Sequence, residues 1–149
     1  MKRIGIMSDT HSVLHDAVFR NFEECDEIWH AGDIGDIGTF DQLTAFKPLR
    51  IVVGNSDGHE LRRVCKEDLH FELEGHKIYM THIGGYPGRY NTRAGAIIRE
   101  TRPDIFVCGH SHILRIMPDP KNNLLHFNPG ACGNHGFHKV KTLVRLSLE

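Results

Sequence analysis

Residues 104–112 read Asp-Ile-Phe-Val-Cys-Gly-His-Ser-His. The apolar run Ile105-Phe106-Val107 is too short for a helix and does not alternate, as in a strand buried on both faces. Gly109 ends it, and two imidazoles follow one residue apart. The reading turns on whether other strands end the same way.

Four of them do. Ile4-Gly5-Ile6-Met7 runs into Asp9 and His11, Glu27–Ala31 into Gly32-Asp33, Leu49–Val53 into Gly54-Asn55, and Lys77–Thr81 into His82. Along the series Asp9, Asp33, Asn55, His82, His110 the intervals are 24, 22, 27 and 28 residues. Each interval holds about one strand plus one crossover or hairpin. Val13, Val18, Phe19 and Phe22 recur at helical spacing, with Asp9 or Ser12 available as a cap. A helix near Thr39–Phe46 stops before Pro48, and another over Thr92–Thr101 stops before Pro103. The first third is therefore strand–helix–strand–helix–strand, the pattern of parallel βαβ units. His70–Glu74 and Lys77–Thr81 suggest a hairpin turning near Gly75, and Gly84–Gly88 an irregular loop. Ile113–Met117, Leu124–Phe127 and Lys139–Leu148 read as further strands. The expectation is one α/β domain over residues 1–149, with two packed sheets and helices outside.

Composition narrows the function. The net charge is −1, so no broad basic field attracts nucleic acid, and stable nucleic-acid binding is not expected. The four cysteines, Cys25, Cys65, Cys108 and Cys132, form no CxxC pair and are expected to be reduced. The apolar stretch at the N-terminus is too short for a signal peptide, and no run approaches the roughly 18 apolar residues of a membrane span. A cytoplasmic protein is expected, with no membrane contact; a homo-oligomer is compatible with the sequence.

The strand-end residues form a chemical set. Asp9, Asp33, Asn55, His11, His82, His110 and His112 offer two carboxylates, an amide oxygen and four imidazoles, with no thiolate. Such an O/N set suits Mn, Fe, Ni, Co or Zn better than Ca, and seven donors suit two ions rather than one. In open α/β sheets ligands collect at the carboxyl ends of strands, so residues far apart in sequence meet at one rim. Gly32, Gly54 and Gly109 each precede a donor and are expected to supply sharp turns.

Asp9-x-His11, Gly32-Asp33, Gly54-Asn55-x-Asp57, Thr81-His82 and Gly109-His110-x-His112 resemble, in order, the five blocks of the calcineurin-like metallophosphoesterase superfamily. Asn128-Pro129-Gly130-Ala131 and the short chain are similar to the small bacterial and archaeal branch related to the retromer small scaffold subunit. The resemblance implies a four-layer αββα sandwich of two mixed β-sheets flanked by helices. It implies two divalent metal ions, Mn foremost, with Ni, Co, Fe, Zn or Mg as alternatives. Asp9, His11 and His112 would hold the first ion; Asp33 would bridge; Asn55, His82 and His110 would hold the second. The implied activity is hydrolysis of a small phosphodiester or phosphomonoester by a metal-bridging hydroxide, with Asp33, Asn55 and His110 as catalytic residues.

The sequence also departs from the family. Many members carry His after the metal-binding Asn and use it to protonate the leaving group. This chain has Ser56 there, then Asp57. General acid help is worth roughly 10²–10⁴-fold, so a slower enzyme is expected, without loss of metal-driven chemistry. Asp57 is either an orienting group or an ordinary turn residue.

The other histidines have quieter readings. His15, His59, His70, His76 and His126 suit surface or packing positions, His30 a satisfied place in the core, and His135 and His138 positions near the site. Arg89 and Arg93 suit solvated faces or substrate phosphate, and Trp29 the core or an oligomer contact. The alternative function is a catalytically weak or inactive scaffold of the same fold; the complete donor set favours the enzyme. A purely structural metal site is disfavoured, because such sites are closed, four-coordinate and often built with Cys.

Overall fold

The computed structural model describes residues 1–149. β1 (Lys2–Met7), β2 (Glu27–His30) and β3 (Leu49–Ile51) are parallel, linked by α1 (Asp16–Phe22) and α2 (Ile37–Phe46). These are the βαβ units expected from the sequence. A short helix absent from the sequence reading, α3 (His59–Val64), follows; no side chain caps it. β4 (Asp68–Leu73) and β5 (His76–Thr81) form the expected hairpin, with Glu74 and Gly75 at φ 52° and 79°, a tight turn that matches strand twist. The supposed irregular loop contains a small hairpin, β6 (Gly85–Tyr86) and β7 (Arg89–Tyr90). α4 (Thr92–Thr101), β8 (Ile105–Val107), β9 (Leu114–Asp119), β10 (Leu124–Pro129) and β11 (Val144–Leu148) complete the chain.

Two sheets result, ordered β11-β1-β2-β3 and β4-β5-β8-β10-β9. Each mixes parallel and antiparallel pairs. Ile4, Ile6 and Trp29 of the first sheet pack against Ile78, Met80, Val107 and Phe127 of the second. Val18, Phe22 and Leu43 of α1 and α2 cover the outer face of the first sheet, and Ala94 and Ile98 of α4 cover that of the second. The layers are thus helix, sheet, sheet, helix, the expected αββα sandwich. Trp29 is wholly buried, its indole donating to Glu27 Oε1 at 2.8 Å.

Several boundaries differ from the sequence reading. α1 begins at Asp16 rather than Val13, because residues 9–12 turn back to pair with 32–34: Asp9, His11 and Ser12 N–H donate to Gly32, Asp33 and Ile34 carbonyls. The last strand starts at Val144, not Lys139; Thr142 N–H and Oγ1 bond instead to Ala131 and Pro129 carbonyls. β9 extends through Pro118, which an edge strand tolerates. All four cysteines are free and buried. No helix is long and apolar enough to cross a membrane.

Candidate metal centre

The carboxyl ends of β1, β2, β3, β5 and β8 lie along one rim, and the loops leaving them carry all seven donors. Parallel pairing within each sheet sends these ends the same way, and packing of the sheets brings both rims together. Asp9, His11 and His112 form one group, and Asp33, His82 and His110 a second; within each group the donor atoms lie within 4.8 Å of one another. Asn55 stands at the edge of the second group, its Oδ1 accepting from His110 Nδ1 at 3.0 Å.

Backbone strain is concentrated here. Asp9, His11, Asp33, His110 and His112 have φ of 57°, 45°, 58°, 71° and 63°. Non-glycine residues rarely adopt the left-handed region, and such strain gathers at functional sites. The glycines act differently from the sequence expectation. Of the three that precede donors, only Gly32 has positive φ, at 102°. Gly54 and Gly109 are needed for close approach instead: a Cβ would overlap Asp33 Oδ1 at the first and Ser8 Oγ at the second.

Asp9, Asp33 and His82 are each aimed by a partner behind them. Asp9 is wholly buried. Its Oδ2 accepts from Ser8 Oγ at 2.7 Å and His110 N–H at 3.2 Å, which leaves Oδ1 facing the centre. Asp33 Oδ1 accepts from Ser56 N–H at 3.0 Å, and Oδ2 faces His82 Nε2 at 3.2 Å and His11 Nε2 at 3.5 Å. His82 Nδ1–H donates to Ala31 O at 2.7 Å, which aims Nε2 at both carboxylates. His112 Nε2 lies 3.2 Å from Asp9 Oδ1.

The donor set fits a divalent cation on the structure's own terms. Asp9 Oδ1, His11 Nε2 and His82 Nε2 are buried and have no hydrogen-bond partner, although they point at one another. Burying unpaired polar atoms is unfavourable unless something coordinates them. Titration is biased accordingly. Burial pushes the Asp9 carboxyl up, against the charge of His82. Asp33 is held well below the usual carboxylate range: burial raises it, but the close, charged imidazole of His82, 3.2 Å away, and the Ser56 donors outweigh that. His82 is raised, because Asp33 and Asp9 together overcome its burial. Burial lowers His11, His110 and His112.

Sequence reasoning assigned no supporting role to three residues that have one. Ser8 and His30 carried no motif signal. The His30 imidazole accepts from Gly32 N–H at Nδ1 (3.1 Å), so Nε2–H donates to Thr10 Oγ1 (3.0 Å), tying the Asp9 loop to the Asp33 loop. Asn128 belongs to the segment singled out in the sequence; its Nδ2 donates to Gly109 O and Ser111 Oγ, both at 3.0 Å. Asp57 proves to be an orienting group. It accepts from Ile34, Gly35 and Gly54 N–H groups. His135 and His138 do reach the site, with rings 4.5 Å from His11 and 5.1 Å from His112. Arg93 pairs with Asp68 and lines a cleft that it shares with Asn55 and His82. An open cleft of about 570 Å³ lies over His11, Asp33, Asn55, His110 and His112.

Known proteins resemble this chain. The family model for the calcineurin-like phosphoesterase superfamily domain matches residues 1–149. A probable metallophosphoesterase of Methanothermobacter thermautotrophicus is 30% identical over 135 residues, covering 86% of this chain and 76% of that protein. One of Methanocaldococcus jannaschii is 32% identical over 157 aligned positions, covering 98% and 76%. Chaetomium thermophilum Vps29 superposes with a TM-score of 0.82 at 14% identity, over 100% of this chain and 83% of that one. An archaeal phosphodiesterase superposes with a TM-score of 0.77 at 22% identity, over 97% and 93%. Entamoeba histolytica Vps29, crystallised with Zn²⁺, gives 0.76 at 21%, over 98% and 86%. At these identities the structural likenesses speak for the fold.

Proposed function

The chain belongs to the calcineurin-like phosphoesterase superfamily, a metal-dependent phosphoesterase family, and we propose that it is a phosphodiesterase that works with two divalent cations. Asp9, His11 and His112 would hold one cation, Asn55, His82 and His110 the other, with Asp33 available to both. The observation that carries this reading is the convergence of three buried, unpartnered donor atoms, Asp9 Oδ1, His11 Nε2 and His82 Nε2.

When bound, the cations would neutralise charge on the phosphoryl oxygens and supply a nucleophile from water at neutral pH. The chain's own residues do the rest. Ser8 and His110 N–H hold Asp9 in one orientation, and Ala31 O fixes the His82 tautomer. Asn55 stands at the exposed rim, and its amide would meet a phosphate oxygen there. Ser56 supplies no imidazole to protonate a leaving group, so esters with good leaving groups are the better substrates. The metal is Mn²⁺ or a related ion. The substrate is a small phosphoester, and the chain acts as one cytoplasmic domain spanning 1–149.

The likeness to Vps29 allows a scaffold of the same fold; the intact donor set supports the enzyme. The test is hydrolysis of bis(p-nitrophenyl) phosphate after chelation and reloading with Mn²⁺, Ni²⁺, Co²⁺, Mg²⁺ or Zn²⁺. Turnover should depend on metal and collapse in Asp33→Asn and His110→Ala. Metal-independent turnover, or full turnover in both variants, would remove the mechanism.

A further inference from the structure

A second cavity, of about 420 Å³, lies beside the metal centre and shares His110 with its cleft. That volume is at the small end of ligand pockets. One wall is the β6–β7 hairpin, held against the sheet by close packing of Gly84 on Phe106 and Cys108. The facing wall is the Gly109–Ser111 loop, and the floor is β10, where His126 and Asn128 both line the cavity. Successive side chains on one strand face are about 7 Å apart. Since Asn128 bonds the loop that carries His110, the cavity floor runs from the metal centre to His126.

His126 is the unexpected group. It is wholly buried, yet neither ring nitrogen has a hydrogen-bond partner. The sequence left a surface or a packing position open for it, and a packing histidine would be satisfied. Burial pushes its pKa down to about 4, so the ring is neutral and offers one donor and one acceptor. Around it are flat aromatic surfaces. The Tyr90 ring lies 6.0 Å from His126, and the Arg115 guanidinium stacks 4.4 Å over Tyr86. The lining cations, Arg89 and Arg115, are more exposed than the imidazole.

Taking the phosphodiesterase reading as its premise, we propose that this cavity is a specificity subsite that binds a nitrogen heterocycle, of the nucleobase type, carried by the phosphoester whose phosphorus sits at the metals. A phosphate or carboxylate offers only acceptors and an ammonium only donors. The edge of a nucleobase offers both and so suits a neutral imidazole in either tautomer. Its faces suit the aromatic and guanidinium planes. The substrate class that follows is a mononucleotide ester, or a terminal nucleotide of a longer one.

Two measurements test this. First, the metal-free, isotope-labelled protein is titrated with adenosine 5′-monophosphate, uridine 5′-monophosphate and ribose 5-phosphate and followed by NMR. The nucleotides should shift the amides of Gly84–Tyr90 and the His126 imidazole signals; ribose 5-phosphate should not. His126→Phe and Tyr86→Ala should weaken nucleotide binding about tenfold. Equal shifts from ribose 5-phosphate, or none from any ligand, overturn the subsite. Second, the metal-loaded protein is assayed on the p-nitrophenyl ester of thymidine 5′-monophosphate and on methyl p-nitrophenyl phosphate. His126→Phe should lower kcat/KM about tenfold on the first and change it less than about twofold on the second. Equal losses on both esters also overturn the proposal. If His126→Phe does not fold, Tyr86→Ala at the exposed wall decides both measurements. Nucleotide shifts without any hydrolysis would leave the subsite standing and remove the phosphodiesterase; hydrolysis blind to the base would do the reverse.

Discussion

Asp57 accepts a hydrogen bond from the main-chain N–H of Ile34 at 2.8 Å, across 23 residues of sequence. The same carboxylate accepts from Gly35 N–H at 3.0 Å and Gly54 N–H at 2.8 Å. It is buried, and it joins the loop of Asp33 to the loop of Asn55. Asp57→Ala would strand several buried donors, at a cost of about 3 kcal/mol or more. Asp57→Asn keeps one acceptor oxygen and should lose less. Urea unfolding of the metal-free protein measures both; a loss under about 1 kcal/mol in the alanine variant would show that the loops hold their places without it.

Protons and metal ions compete for one set of lone pairs. Asp33 and Asp9 raise His82, so it keeps its proton above the ordinary imidazole value of 6.5. A cation must displace that proton, so metal binding should release protons and weaken as the pH falls through the raised His82 value. Calorimetry in two buffers of different ionisation enthalpy reads the release directly. Added Mn²⁺ should also raise the melting temperature of the wild type by mass action. Asp33→Asn, which keeps an acceptor for Ser56 N–H, should fold but lose most of that rise. An undiminished rise in the variant would argue that the ion binds elsewhere.

Two buried histidines set a pH limit on stability. Burial lowers both His30 and His126 from 6.5 to about 4. Between those values the unfolded chain takes up protons that the folded chain refuses. Stability should therefore fall as the pH drops from 6.5 toward 4, by up to about 3 kcal/mol for each group. His126→Phe removes one of the two, so its unfolding free energy should fall by less over that window. Parallel curves for the two proteins would mean that His126 is not held neutral.

Glycine to alanine substitutions should sort by place. At Gly109 a Cβ would overlap Ser8 Oγ and lie 2.9 Å from Asp9 Oδ2. Gly109→Ala should lower metal affinity about tenfold, because it moves the groups that aim a ligand. At Gly38, in the first turn of α2, a Cβ meets only Asp36 Oδ1 at 3.5 Å. Gly38→Ala should stabilise the protein by about 0.5 kcal/mol, through lost freedom of the unfolded chain. Thermal melts and metal titrations of the two variants separate these effects; equal behaviour would contradict the close approach seen at Gly109.

The sequence by itself determined the presence of the strands of the two main sheets, their parallel order in the first third, and the seven polar residues at strand ends. Apolar runs and their breaks are local properties, and strand direction places every such break on one rim. The short helix His59–Val64 and the hairpin at Gly85–Tyr90 escaped because elements of two to six residues leave too little periodicity to read. Only the tertiary structure decided what stands behind the donors. Ser8 on Asp9, Ala31 O on His82 and Asp57 between two loops are contacts of single atoms. Only the packed sheets could show His126 buried without a partner. Whether a polar atom is satisfied depends on what the rest of the chain brings within about 3 Å of it, and distances across a fold are not written in the order of its residues.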